Sequence, residues 1–114
     1  MKIQAVTIGV SDLARSKAFY EDVLGFEADM YYEETRWQSY RCEETAFFAI
    51  AEAENVERPT GAGIVNFMVD DVEGLWERIR GTVEVESGPA RTPWGAYKMV
   101  VVDPDGYRLG FVQA

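Results

Sequence analysis

The chain has 114 residues, 47% of them hydrophobic, with 11 basic against 20 acidic side chains and a formal net charge of −9. A chain of this length and composition buries a core without disulfide or metal support, and its charge repels phosphate backbones, which excludes a nucleic-acid partner. It contains no histidine and one cysteine, Cys42, so Ser-His and Cys-His nucleophiles and internal disulfides are excluded as well.

Residues 2–10 alternate, with Val6, Ile8 and Val10 on one side and Ile3, Ala5, Thr7 and Gly9 on the other, which is the period of a strand. The opening MKIQAVTIGVSD has no apolar core of a leader peptide, and no apolar run reaches the ~18 residues of a membrane span. We therefore expect a cytoplasmic protein with no membrane partner. Ser11-Asp12 offers a helix N-cap, and the helix runs from Leu13 to Leu24, where Gly25 closes it. Short strands are expected at 26–33, 36–42 and 46–52, with polar Glu-Glu-Thr turns at 33–35 and 43–45.

Residues 54–61, with Pro59 and Gly61, read as a linker between modules 1–53 and 62–114. After it the order recurs. A strand at 63–69 is followed by Asp70-Asp71 as cap and by a helix with Val72, Leu75, Trp76 and Ile79 at i, i+3, i+4, i+7. That spacing places Trp76 in the core, and Gly81 ends the helix. Strands follow at 82–87, 97–102 and 107–113, with 88–96 as a Gly- and Pro-containing loop. Val10-Ser11-Asp12-Leu13 is answered 59 residues later by Val69-Asp70-Asp71-Val72 (69 − 10 = 59). The expected fold class is thus α+β, with two tandem βαβββ modules forming a concave mixed-sheet cleft.

Two segments carry a family resemblance. The first is Val10-Ser11-Asp12-Leu13-Ala14-Arg15-Ser16 with Phe19-Tyr20 and Leu24-Gly25-Phe26. The second is Asp103-Pro104-Asp105-Gly106-Tyr107. Together they resemble the vicinal oxygen chelate superfamily of glyoxalases, bleomycin-resistance proteins and extradiol dioxygenases. The resemblance spans the whole chain and implies a homodimer. It also implies a divalent metal in the superfamily's enzymes. Matching their motifs puts Ala5, Ile64 and Gly110 at three ligand positions and Phe48, more loosely, at a fourth. Ala, Ile and Phe carry no donor atom and Gly has no side chain, whereas a catalytic metal needs about three protein ligands. No metal and no cofactor are therefore expected, and no catalytic residue is singled out.

By strand alternation the remaining concave surface holds Thr7, Phe48, Ile64, Asn66, Met68, Arg108 and Gly110, with Trp37, Trp94 and Tyr97 as further aromatic candidates. Residues 29–57 add eight acidic side chains (Asp29, Glu33, Glu34, Glu43, Glu44, Glu52, Glu54, Glu57) against Arg36 and Arg41. The resulting expectation is a metal-independent small-molecule-binding protein like the bleomycin-type drug-resistance proteins, taking an aromatic or cationic ligand. The alternative is a glyoxalase-like lyase or isomerase, or a dioxygenase-type enzyme, of the same superfamily.

Overall fold

The computed structural model describes residues 1–43 and 46–114, so Glu44 and Thr45, part of the second expected turn and of the acidic stretch, lie outside the described residues. The chain forms two compact units, Met1–Glu57 and Arg58–Ala114. Each is a four-stranded mixed sheet with a helical segment.

In the first unit β1 (Ala5–Val10) leads into α1 (Leu13–Lys17), which continues as a π-helical turn over Ala18–Val23, and then β2 (Ala28–Tyr32), β3 (Trp37–Arg41) and β4 (Phe47–Glu52) follow. The strand order is β1-β4-β3-β2, with β1 parallel to β4 and the other pairs antiparallel. The expected single α-helix is therefore an α-turn followed by a wider one. Leu24 N–H reaches back five residues to the Phe19 carbonyl at 3.0 Å, and Gly25, at φ 79, takes the left-handed closing position.

The second unit repeats the plan with β5 (Val65–Val69), α2 (Val72–Ile79), β6 (Glu84–Arg91), β7 (Tyr97–Val102) and β8 (Arg108–Gln113) in the order β5-β8-β7-β6. β5 is parallel to β8. Two differences from the sequence reading stand out. β6 runs through Gly88-Pro89 into the segment expected as loop, because register shifts between Val85 and Ser87 and between Ser87 and Ala90 absorb the residues that cannot ladder. At the end of α2, Gly81 uses no left-handed backbone; Thr82 instead donates both its N–H and its hydroxyl to the Ile79 carbonyl.

One device recurs in both units. Asp12 and Asp71 cap their helices by accepting from Arg15 N–H and Gly74 N–H, each at 3.0 Å. The first N–H of each helix is then taken by the last strand of the same unit: Leu13 N–H by Glu52 Oε2 at 2.8 Å, and Val72 N–H by Gln113 Oε1 at 3.0 Å. These bonds fix which strand residues face the helix. In the first unit they are Phe48, Ile50 and Glu52 with Gln38 and Tyr40. In the second they are Leu109, Phe111 and Gln113 with Tyr97, Met99 and Val101. Tyr20, Phe26, Tyr40 and Phe48 form one aromatic core, with ring centroids 5.2–6.4 Å apart. Phe67 stacks on Phe111 at 5.5 Å in the other. Trp76 is half-buried, with Gly88 beneath its ring and the Arg80 guanidinium 5.5 Å above it.

Because an amide does in the second unit what a carboxylate does in the first, Glu52→Gln is expected to leave stability within about 0.5 kcal/mol of the parent. Glu52→Ala should cost about 1–2 kcal/mol, as an N-cap loss does. Urea unfolding of both variants checks this. Equal losses for Gln and Ala would show that the helix N–H contact contributes nothing.

Candidate functional site

The sheet faces turned away from the helices carry most of the expected site residues, each within its own unit. In the first unit Thr7 and Trp37 lie on that far face. The Trp37 indole N–H donates to Thr7 Oγ1 at 3.3 Å. Tyr32 and Phe47 flank the indole, with ring centroids at 5.6 and 5.7 Å. Ala5, at the start of β1, shares the face, paired in register with Phe47.

Phe48 does not. It is 2% exposed and sits in the aromatic core against Tyr20, which makes it a core residue and not a ligand contact. The far face of β4 instead holds Phe47, Ala49 and Ala51. The sequence signal for this parity was residue size: the large Phe48 and Ile50 alternate with the small Ala49 and Ala51, and the large set fills the space under a helix.

In the second unit Asn66, Met68, Arg108 and Gly110 share the far face. Ile64, half-buried, immediately precedes β5. Met68 is 75% exposed. Asn66 pairs in register with Gly110, and its amide lies over the glycine: a Cβ added there would stand 2.1 Å from Asn66 Oδ1 and 2.7 Å from Lys98 Cε. Arg108 is engaged on all sides of its guanidinium. Nε and Nη2 donate to the two Glu86 carboxylate oxygens at 2.7 and 2.6 Å, and Nη1 donates to the Ala62 carbonyl at 3.0 Å. The pairing holds the Glu86 carboxyl below its ordinary value and raises Arg108 further.

Two aromatic candidates separate from this group. Tyr97 points to the helix side, where its hydroxyl donates to Glu73 of α2 and Arg91 stacks 5.6 Å from its ring; strand parity, which puts it with Met99 and Val101, takes it off the far face. The Glu73 carboxylate raises the Tyr97 phenol above its ordinary range. Trp94, 75% exposed, stands in the turn between β6 and β7, where Gly95 adopts φ 91.

The acidic stretch is partly neutralised. Arg41 pairs with Glu27 and Asp29, and Arg36 with Glu33 and Glu52. Burial raises the Cys42 thiol, which disfavours a reactive thiolate.

The residues present do not fit a superfamily metal. Among the described residues no three His, Cys, Asp or Glu side chains gather within reach of one ion. The position over Gly110 is taken by an amide. Among the described residues no helix is long and apolar enough to cross a membrane.

Comparison with known proteins agrees with this architecture. The family model described as Glyoxalase/Bleomycin resistance protein/Dioxygenase superfamily matches residues 2–111. The chain is 32% identical over 132 aligned positions to a lactoylglutathione lyase of Haemophilus influenzae, covering 99% of this chain and 93% of that protein. It is 28% identical to glyoxalase 1 of Caenorhabditis elegans, of which it spans 42%. It superposes on the crystal structure of a superfamily member from Sphaerobacter thermophilus with a TM-score of 0.81 at 22% identity, covering 100% of this chain and 98% of the other.

Two measurements follow. Phe48→Ala should lower stability by about 3–5 kcal/mol, the cost of emptying an aromatic core site, as read by chemical denaturation. A loss under about 1 kcal/mol would return Phe48 to the ligand-contact set. In an NMR pH titration Glu86 should protonate below the ordinary glutamate range. Because its folded value is depressed, the Glu86–Arg108 pair stabilises above the unfolded glutamate value and loses that contribution as pH falls through the folded one. Arg108→Ala should move the Glu86 midpoint upward.

Proposed function

The chain belongs to the glyoxalase/bleomycin resistance protein/dioxygenase superfamily, and we propose that within it this protein is a metal-independent small-molecule-binding protein of the drug-sequestering kind. The observation that carries the reading is the donor set. The positions that resemblance assigns to metal ligands hold Ala5, Ile64 and Gly110, and Asn66 fills the space where the last ligand would project. Ala, Ile and Gly side chains at these positions offer no donor atoms to a Lewis-acid metal. Without histidine there is no side chain whose ordinary titration lies near neutrality.

What remains on the far faces suits binding. Trp37, oriented by Thr7 and flanked by Tyr32 and Phe47, offers a stacking surface. Asn66 offers both a donor and an acceptor, and Met68 an adaptable apolar contact. Arg108, whose Nε, Nη1 and Nη2 are all taken by short hydrogen bonds to Glu86 and the Ala62 carbonyl, is a framework group. The net charge of −9 draws cations toward the protein. The ligand class we propose is therefore a flat aromatic molecule carrying positive charge, held stoichiometrically by a cytoplasmic homodimer.

A second reading has one observation in its favour: the Haemophilus influenzae relative is named a lactoylglutathione lyase. The two readings separate on metal content and on binding. Purified protein dialysed against buffer is expected to hold far less than one equivalent of Ni, Zn, Mn or Fe by elemental analysis. Titration with 9-aminoacridine is expected to quench tryptophan fluorescence saturably. Trp37→Ala should weaken that binding about tenfold, equivalent to ~1.4 kcal/mol. A stoichiometric metal that survives dialysis, or binding indifferent to Trp37, would overturn the proposal.

A further inference from the structure

The outer side of α1 carries a groove that none of the residues above explains. Its volume is about 440 Å³. Leu13, Ala14 and Ala18 give it an apolar floor, and the ring of Tyr31 forms a wall. Its rim holds two cations, Lys17 and Arg36, and two carboxylates, Glu21 and Asp22. Two further carboxylates stand behind Arg36, Glu33 at 3.6 Å and Glu52 at 3.5 Å.

Two of these charges are held from below by the core. Lys17 Nζ donates to Gln38 Oε1 at 2.8 Å, and Glu21 Oε2 accepts from the Tyr40 hydroxyl at 2.8 Å. Gln38 is 3% exposed and Tyr40 0%, so neither charge is a loose surface group. Lys17 also lies 5.4 Å from the Tyr31 centroid and 3.5 Å from Glu21. The π-helical turn begins at Ala18, one residue after Lys17, and carries both carboxylates.

Arg36 is fixed differently. Its backbone is left-handed, at φ 50, where a glycine would sit without strain. Its guanidinium donates to the Tyr31 hydroxyl at 3.1 Å and lies 3.5 Å from Glu52, the carboxylate that holds the start of α1. A strained arginine is thus locked against the helix on one side and the groove's aromatic wall on the other.

Fixed charges of both signs around an apolar floor recognise a molecule that carries both signs itself. We propose that this groove binds a small zwitterion of the α-amino-acid type with an apolar side chain. Its carboxylate lies against Arg36, its ammonium group against Glu21 and Asp22, and its side chain over Ala14 and Ala18 beside Tyr31.

The test compares L-phenylalanine with two molecules that each lack one charge, 3-phenylpropanoate and 2-phenylethylamine, by calorimetry and by NMR shifts of Tyr31 and Ala18. Phenylalanine is expected to bind about tenfold or more tightly than either. Arg36→Gly removes the guanidinium at a position whose backbone favours glycine. It should melt within a few degrees of the parent while weakening phenylalanine binding about tenfold. Trp37→Ala, on the sheet's far face, should leave phenylalanine binding unchanged, which keeps this site distinct from the aromatic-cation site proposed above. Absence of phenylalanine binding, equal binding of the three probes, or unchanged binding in a folded Arg36→Gly variant would each overturn the assignment.

Discussion

The first N–H of each helix has no partner within its own helix, and in both modules the last strand supplies one. Glu52 reaches Leu13 and Gln113 reaches Val72. This contact ties the helix to the face of the sheet that carries the second, fourth and sixth residues of the last strand. Strand side chains alternate, so fixing one residue of β4 or β8 toward the helix fixes every other residue of that strand. Phe48 and Ile50 go under α1 with Glu52; Leu109 and Phe111 go under α2 with Gln113. The composition of both far faces depends on this choice.

That dependence explains what the sequence made legible and what it concealed. The two modules were readable because Val10-Ser11-Asp12-Leu13 and Val69-Asp70-Asp71-Val72 state the same strand end and helix cap twice. β1 and β5 were readable because their alternation is clean, which placed Thr7, Asn66 and Met68 on the face away from the helix. In β4 the adjacent, identical Phe47 and Phe48 mask the alternation at its start, and only the large-small order of Phe48, Ala49, Ile50 and Ala51 carries the parity that the aromatic cluster of Tyr20, Phe26 and Tyr40 displays. Tyr97 opens the expected strand 97–102, and the parity of β7, which puts it with Met99 and Val101, sends it toward Glu73 and away from the far face. The extension of β6 through Pro89 was hidden for a related reason. Bulges let a strand pass residues that local rules exclude.

The chemistry of the far faces follows from what surrounds each polar group. Arg108 looks from sequence like a free cation in an apolar cleft. In the fold it forms a closed unit with Glu86 and the Ala62 carbonyl. Thr7 looks like a lone hydroxyl and instead aims an indole. A polar residue at a predicted site position can thus be framework or recognition, and the hydrogen-bond inventory of its neighbours separates the two roles.

The amide of Asn66 over Gly110 has a consequence for how this sequence can change. A side chain at position 110 and Asn66 in its present rotamer exclude each other, with Lys98 crowding the same point. Positions 66 and 110 are therefore coupled through the Asn66 rotamer. A side chain arriving at position 110 obliges the exposed Asn66 amide and the end of Lys98 to swing aside, so the first effect of such a change is a re-aimed amide at the far face.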